Sequence, residues 1–191
     1  MKLIIASNNE HKIHEIKTIL SGYFDEILSL REAEIICDPE ENGKTFLENA
    51  MIKANEIAKH TCFAVLADDT GLCVDALNGA PGVMSARFAG NHDNAQNRAK
   101  LLNEMKNATD RSAHFSTAVA LRYPNGDIIT AEGRVDGSIL LQEDGTNGFG
   151  YDSLFFCPEL NKSFGNATDE EKNSVSHRGR ALKKLLDAIK N

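Results

Sequence analysis

Several things are missing from this 191-residue chain, and each absence narrows what it can be. There is no internal repeat, low-complexity tract or block of like charge, so the sequence reads as continuous folded protein. No long apolar run is present. Met1 to Ala6 carries one lysine and a very short apolar stretch before Ser7-Asn8-Asn9-Glu10, too short for a signal-peptide core or a membrane span. The expectation is a cytoplasmic protein with no membrane partner. No CxxC pair occurs among the four cysteines, Cys37, Cys62, Cys73 and Cys157, which favours buried free thiols in a reducing compartment. An excess of basic residues is also missing. The net charge of −7 argues against a nucleic-acid partner, which needs a basic face. A small anion is still admissible, but its site must be built locally from lysines, arginines, backbone N–H groups or a metal. The G-x-x-x-x-G-K-[ST] phosphate loop is absent as well.

What is present is an ordinary globular composition, 41% hydrophobic and 26% charged, sufficient for one domain that can divide into two lobes. Its most informative stretch is Leu66-Ala67-Asp68-Asp69-Thr70-Gly71-Leu72-Cys73-Val74-Asp75. Cys62 to Ala67 has the residue mix of a buried strand, with Gly71 read as the turn that ends it. Two carboxylates at the end of a buried strand require compensation by a metal, a lysine or both. A solvated acidic turn is the competing reading of the same residues.

Taken in order, Lys2 to Ala6 reads as a short strand. Asn8 or Asn9 caps a helix carrying Ile13, Ile16, Ile19 and Leu20. The loop Ser7-Asn8-Asn9-Glu10-His11-Lys12 therefore lies between a strand's end and a helix's start, where free N–H groups favour an anion. Residues 23–37 read as an extended segment and a mixed loop. Thr45 and Glu48 fit a capping box for a helix to about His60, with Lys53 amid small apolar residues. A helix is expected from about Asn94 to Lys106. Two strands, near 114–123 and 127–136, flank Asn125-Gly126, a strong hairpin signal. Gly145 to Asp152 is a glycine-rich loop holding Phe149 and Tyr151, either shaped for a flat ligand or pinned in the core. It leads into a strand from Leu154 to Cys157. An acidic turn at Thr168 to Lys172 precedes a final helix capped by Ser176. His177 and Arg178 sit in its first turn, where the helix dipole gains nothing from positive side chains.

Together, Ser7-Asn8-Asn9-x-x-Lys12, Glu41-Asn42-Gly43-x-Thr45-Phe46-x-Glu48-Asn49-Ala50-x-x-Lys53-Ala54, Ala67-Asp68-Asp69-Thr70-Gly71-Leu72, Pro81-Gly82-Val83-x-Ser85-Ala86-Arg87, Gly148-Phe149-Gly150-Tyr151-Asp152 and Ser176-His177-Arg178 occur in register. The chain thus closely resembles the inosine-triphosphate pyrophosphatase family, the RdgB-like enzymes acting on non-standard purine nucleoside triphosphates. Three departures are visible. Ser7-Asn8 stands where Thr-Gly is commoner, Thr70 replaces a usual serine, and Asn147 a frequent glycine. Each keeps a hydroxyl or a turn-competent residue.

The resemblance implies a single α/β domain, elongated and two-lobed. It would have a long bent mixed β-sheet flanked by helices and an active-site cleft between the lobes. Homodimers are implied, and so is Mg²⁺-dependent cleavage of a purine nucleoside triphosphate (ITP, dITP, XTP) to the monophosphate and pyrophosphate. On that resemblance Glu41 and Asp69 are metal ligands, Asp69 is the base and Asp68 assists. Ser7, Asn8, Asn9, Glu10, His11, Lys12 and Lys53 bind the phosphate end of the substrate, and Thr70 contacts the substrate by its hydroxyl or backbone. Phe149 stacks on the purine, with Gly150, Tyr151 and Asp152 around it, and Lys172, His177 and Arg178 supply donors near O6. Two other functions compete: a nucleotide-binding regulator without catalysis, and a pyrophosphatase of modified pyrimidine nucleotides.

Overall fold

A computed structural model describes residues 1–190. The elements run β1 (Lys2–Ile5), α1 (Glu10–Ile19), β2 (Glu26–Ser29), α2 (Phe46–Ala58), β3 (Ala64–Val74), α3 (Asn94–Glu104), β4 (Ser112–Arg122), β5 (Ile128–Ile139), β6 (Phe155–Cys157), β7 (Lys162–Ser163), α4 (Asp169–Val175) and α5 (His177–Lys190). The strands form one mixed sheet in the order β2-β1-β3-β4-β5-β6-β7. β1 pairs in parallel with β2 and β3, and β6 pairs antiparallel to β5 and β7. This is the expected α/β class with helices flanking a mixed sheet.

The chain divides into two compact units. The first comprises residues 1–69, 117–133 and the segment from Arg178 onward. Its core has two parts, set by the period-2 alternation of a strand. Leu66 packs with Ile13 and Ile16 of α1 and with Ala181, Leu182 and Leu185 of α5. The flanking Val65 and Ala67 face Ala50, Ala54 and Ile57 of α2 instead. The parallel register Ile5↔Leu66 and the bond from Ala6 N–H to Leu66 O (2.8 Å) set the Ser7 loop beside the strand that continues into Asp68.

The second unit comprises residues 70–116 and 134–177. Leu72 and Val74 join Leu101, Val135, Leu154, Phe155 and Phe164 in its core. The rings of Phe115, Phe155 and Phe164 lie 4.8–6.2 Å apart, centroid to centroid. Gly137 admits the Phe155 ring: a Cβ there would lie 2.5 Å from its tip.

Three local readings change. Gly71 does not end β3. The strand runs on to Val74 as eleven residues, because Leu72 and Val74 have a core of their own to enter and Gly71 keeps a strand-compatible backbone. Asp68 and Asp69 therefore lie mid-strand. The cysteines are free as expected, but only Cys157 is fully buried and Cys62 is exposed. The capping box also shifts. Thr45 accepts the Glu48 N–H, while the Glu48 carboxylate takes the N–H of Lys44. The reciprocal box forms at Thr168 and Glu171 instead.

Candidate active site

Successive side chains on a strand leave opposite faces of the sheet. Asp68 accordingly turns toward α1 and α5, and Asp69 toward α2. Asp68 is 1% exposed and lies 3.1 Å from Lys12 Nζ. Its Oδ2 also accepts from Arg178 Nη2 at 3.1 Å and from Nε at 3.3 Å. The same guanidinium donates through Nη1 to the buried Glu15. Burial alone pushes the Asp68 carboxyl up, but Lys12, Arg178 and Lys53 together outweigh it and hold it well below the usual carboxylate range. Burial draws Lys12 down, with Asp68 opposing and Lys53 and Arg178 reinforcing the shift. The Asp68 side of the strand is thus a fixed ion cluster.

Asp69 lies on the other face. Its Oδ2 accepts from Asn49 Nδ2 at 2.9 Å, and Oδ1 lies 3.9 Å from Lys53 Nζ. Lys53 also reaches Glu41 Oε1 at 3.2 Å. Burial is the largest influence on Asp69 and raises its pKa despite the lysines. Adjacent residues thus differ: one carboxylate is locked and hard to protonate, the other has an increased affinity for protons. Glu41, Lys53 and Asp69 form one set on this face.

The loop before α1 is built by its own side chains. Asn9 caps the helix, accepting from His11 N–H (3.0 Å) and Lys12 N–H (3.2 Å), and Ser7 Oγ accepts from Asn9 N–H at 3.2 Å. These three N–H groups are therefore engaged within the loop. Asn8, Asn9, Glu10 and His11 are exposed and Ser7 is half-buried. Of the loop's candidate residues, Lys12 is the one whose side chain the structure brings to a carboxylate on β3.

In the second unit, Asp152 organises the glycine-rich loop. Its Oδ2 accepts from Phe149 N–H at 2.8 Å and from Lys172 Nζ at 2.7 Å. Lys172 Nζ stands 4.7 Å from the Phe149 ring centroid. Gly148, at φ +72°, permits this closeness, since a Cβ there would meet the Asp152 carboxylate at 2.1 Å. Arg98 of α3 donates to Gly150 O at 3.0 Å and pairs with Glu143. Tyr151 OH donates to Ser85 O at 2.9 Å, and burial raises that phenol. His177 is 3% exposed and stacks on Phe115, with centroids 4.7 Å apart. Thr70 is half-buried on β3.

The structure thus brings Lys12, Lys53, Glu41, Asp68, Asp69 and Arg178 together in one unit, and Phe149, Asp152 and Lys172 in the other. Arg178, expected near a base, has its guanidinium on Asp68 and Glu15 in this structure. Sequence reasoning passed over three residues: Glu15, Arg98 and the amide of Asn49. Asn49 stood inside a recognised motif, yet nothing local marks it as a partner of Asp69.

Among the described residues, no three His, Cys, Asp or Glu side chains gather closely enough to hold a metal unaided. Glu41 and Asp69 are hard oxygen donors bracketed by one lysine. Such a pair fits Mg²⁺ when water and phosphate oxygens complete its shell.

Comparison with known proteins covers nearly the whole chain. The model of the Ham1 family matches residues 3–188. A dITP/XTP pyrophosphatase of Clostridium perfringens is 52% identical, covering 99% of this chain and 97% of its own length. The dITP/XTP pyrophosphatase of Leuconostoc mesenteroides is 47% identical over 97% of this chain and 94% of its own. Among solved structures, the Staphylococcus aureus Ham1 protein superposes with a TM-score of 0.88 at 39% identity, covering 100% of this chain and 98% of its own. A Coxiella burnetii HAM1 protein gives 0.89 at 37% identity with the same coverage.

Proposed function

Because the chain belongs to the Ham1 family, we propose that it is a nucleoside-triphosphate pyrophosphatase that hydrolyses non-standard purine nucleotides, dITP, ITP and XTP. The products are the monophosphate and pyrophosphate, and the reaction removes these nucleotides from the pool. The observation that carries this reading is the division of labour on β3. Asp68 is locked among Lys12 and Arg178, and Asp69 is poised beside Lys53 and Glu41.

In this reading Lys12 and Lys53, with the Ser7 to Lys12 loop and Thr70, bind the phosphates. Asp69 takes a proton from the attacking water. A new O–P bond forms at the α-phosphorus, the α–β bridging bond breaks, and pyrophosphate leaves with the electron pair. Raised proton affinity suits a base, and Asp69 has it while Asp68 does not. Asp68 instead holds Lys12 in place. Glu41 and Asp69 would hold Mg²⁺, which when bound supplies charge neutralisation at the phosphate oxygens.

Phe149 stacks on the purine, with Gly150 and Tyr151 shaping the loop and Asp152 fixing both the ring's backbone and the Lys172 ammonium. Lys172 and His177 present donors to O6, where adenine carries a donor amine. A site built on such bonds rejects the mismatched base by roughly 10⁴-fold. The resemblance also assigns Arg178 to the donors near O6, while in this structure its guanidinium is on Asp68 and Glu15. The family resemblance adds a homodimer and a cytoplasmic location. No helix among the described residues is long and apolar enough to cross a membrane.

A panel of ITP, dITP, XTP, ATP, GTP and modified pyrimidine triphosphates, read by Mg²⁺-dependent pyrophosphate release, tests the proposal. Turnover of the first three well above the rest is expected. Equal turnover of all would remove the specificity claim, and binding without turnover would leave a regulator.

A further inference from the structure

Asn49 is 1% exposed, and both ends of its amide are used. Its Oδ1 accepts the N–H of Gly43 at 2.8 Å, and its Nδ2 donates to Asp69 Oδ2 at 2.9 Å. One side chain on the first turn of α2 therefore ties a loop backbone to a carboxylate in the middle of β3. Gly43 lies two residues after Glu41 in that loop, and Glu41 is paired through Lys53 to the same Asp69. The approach is close enough to require glycine. A Cβ on Gly43 would lie 2.6 Å from Asn49 Oδ1 and 2.8 Å from Glu48 Cβ.

The plane of an aspartate carboxylate turns broadly about χ2 unless a bond fixes it. Lys53 at 3.9 Å from Asp69 is too far to do so by hydrogen bonding. The Asn49 donor at 2.9 Å is within range. It acts on Oδ2, leaving Oδ1 on the Lys53 side. We propose that Asn49 is a positioning residue for the pyrophosphatase reaction: its amide fixes the rotamer of Asp69 and, through Gly43, the distance at which the Glu41 loop stands from it. The inference rests on the reading of Asp69 and Glu41 as base and metal ligands, and goes beyond it by naming what holds the two in register. Supporting groups of this kind typically contribute 10- to 100-fold to metal affinity or rate.

Two substitutions separate the halves of the role. Asn49→Ala removes both bonds. Asn49→Asp keeps an acceptor for Gly43 N–H and loses the donor toward Asp69. Both are expected to lower kcat for ITP about 10- to 100-fold with KM changed less than about threefold. Mn²⁺ affinity of the nucleotide-free protein, followed by electron paramagnetic resonance, is expected to fall about tenfold in Asn49→Ala. An Asn49→Asp protein with wild-type kcat would show that Asn49 only anchors the Gly43 loop, and would overturn the proposal. So would losses confined to KM, or losses that merely follow a drop in thermal midpoint. A wild type that turns over none of the triphosphates would fail the functional reading itself. The Mn²⁺ titration then decides for Asn49 alone, with unchanged affinity counting against it.

Discussion

Asp68 and Asp69 are chemically identical and adjacent, yet their surroundings predict opposite consequences on substitution. Asp68 is the negative centre of a buried cluster, and its removal strands Lys12 and half of Arg178. Breaking a buried charge pair costs about 3–5 kcal/mol. Asp68→Asn should therefore lower stability by about 3 kcal/mol in urea unfolding, with activity falling as a secondary effect. Asp69 accepts from the Asn49 amide and lies 3.9 Å from Lys53, and burial raises its proton affinity, so a neutral amide in its place costs less. Asp69→Asn should unfold within about 1 kcal/mol of wild type, abolish turnover and still bind nucleotide. A reversed pattern, with Asp69→Asn the unstable protein and Asp68→Asn the inactive one, would exchange the roles assigned here.

At the scale of elements, local rules were legible and long-range ones were not. Asn9 and Thr45 were readable as caps because a cap bonds N–H groups two or three residues away. The Asn125-Gly126 turn announced its hairpin for the same reason, and Gly126 does carry a positive φ of 96°. The continuation of β3 through Gly71 was not legible, because it depends on a second core assembled from residues up to Val175. Nor was the Arg178 pairing, which spans 110 residues to Asp68 and 163 to Glu15. In isolation an arginine in a helix's first turn reads as solvated. The neighbouring motifs pointed to a chemistry for the site without showing which side chain touches which.

A second element-scale contact sets a pH dependence. Lys17 of α1 and Ser29 at the end of β2 converge on Glu32. The Lys17 bond, then those from Ser29, hold the Glu32 carboxyl down from 4.5 to about 2. A depressed carboxyl contributes stability that is present above its unfolded value and is lost as pH falls through the folded one. The advantage of wild type over Glu32→Gln in urea midpoint should be full above about pH 5, shrink below 4.5 and vanish near 2. The pair is solvent-exposed, so the effect is small and should weaken in high salt.

The molecule as a whole is acidic, and so is its candidate catalytic cluster. Lys12, Lys53 and Arg178 face Glu15, Glu41, Asp68 and Asp69, one negative charge more than positive. With a net charge of −7, the long-range field does not attract a nucleoside triphosphate. Raising ionic strength from about 0.01 to about 0.15 M shortens the screening length from about 30 Å to about 8 Å. At fixed free Mg²⁺, kcat/KM should therefore rise about two- to tenfold, with kcat little changed. A fall would show that the lysines govern encounter after all.

One strand supplying both acids has a mechanical corollary. The spacing of Asp68 and Asp69 is a chain constant, about 3.8 Å between Cα atoms. If β3 slides or breathes along its axis, the anchor for Lys12 and the group beside Lys53 travel together. Removing one residue between Ala64 and Ala67 would not merely shorten the strand. It would turn each acid to the other's face, setting Asp68 toward Asn49 and Lys53 and Asp69 toward Lys12 and Arg178. Evolution can tune either neighbourhood by substitution, but it cannot change the interval between them, which works as a ruler built into the backbone.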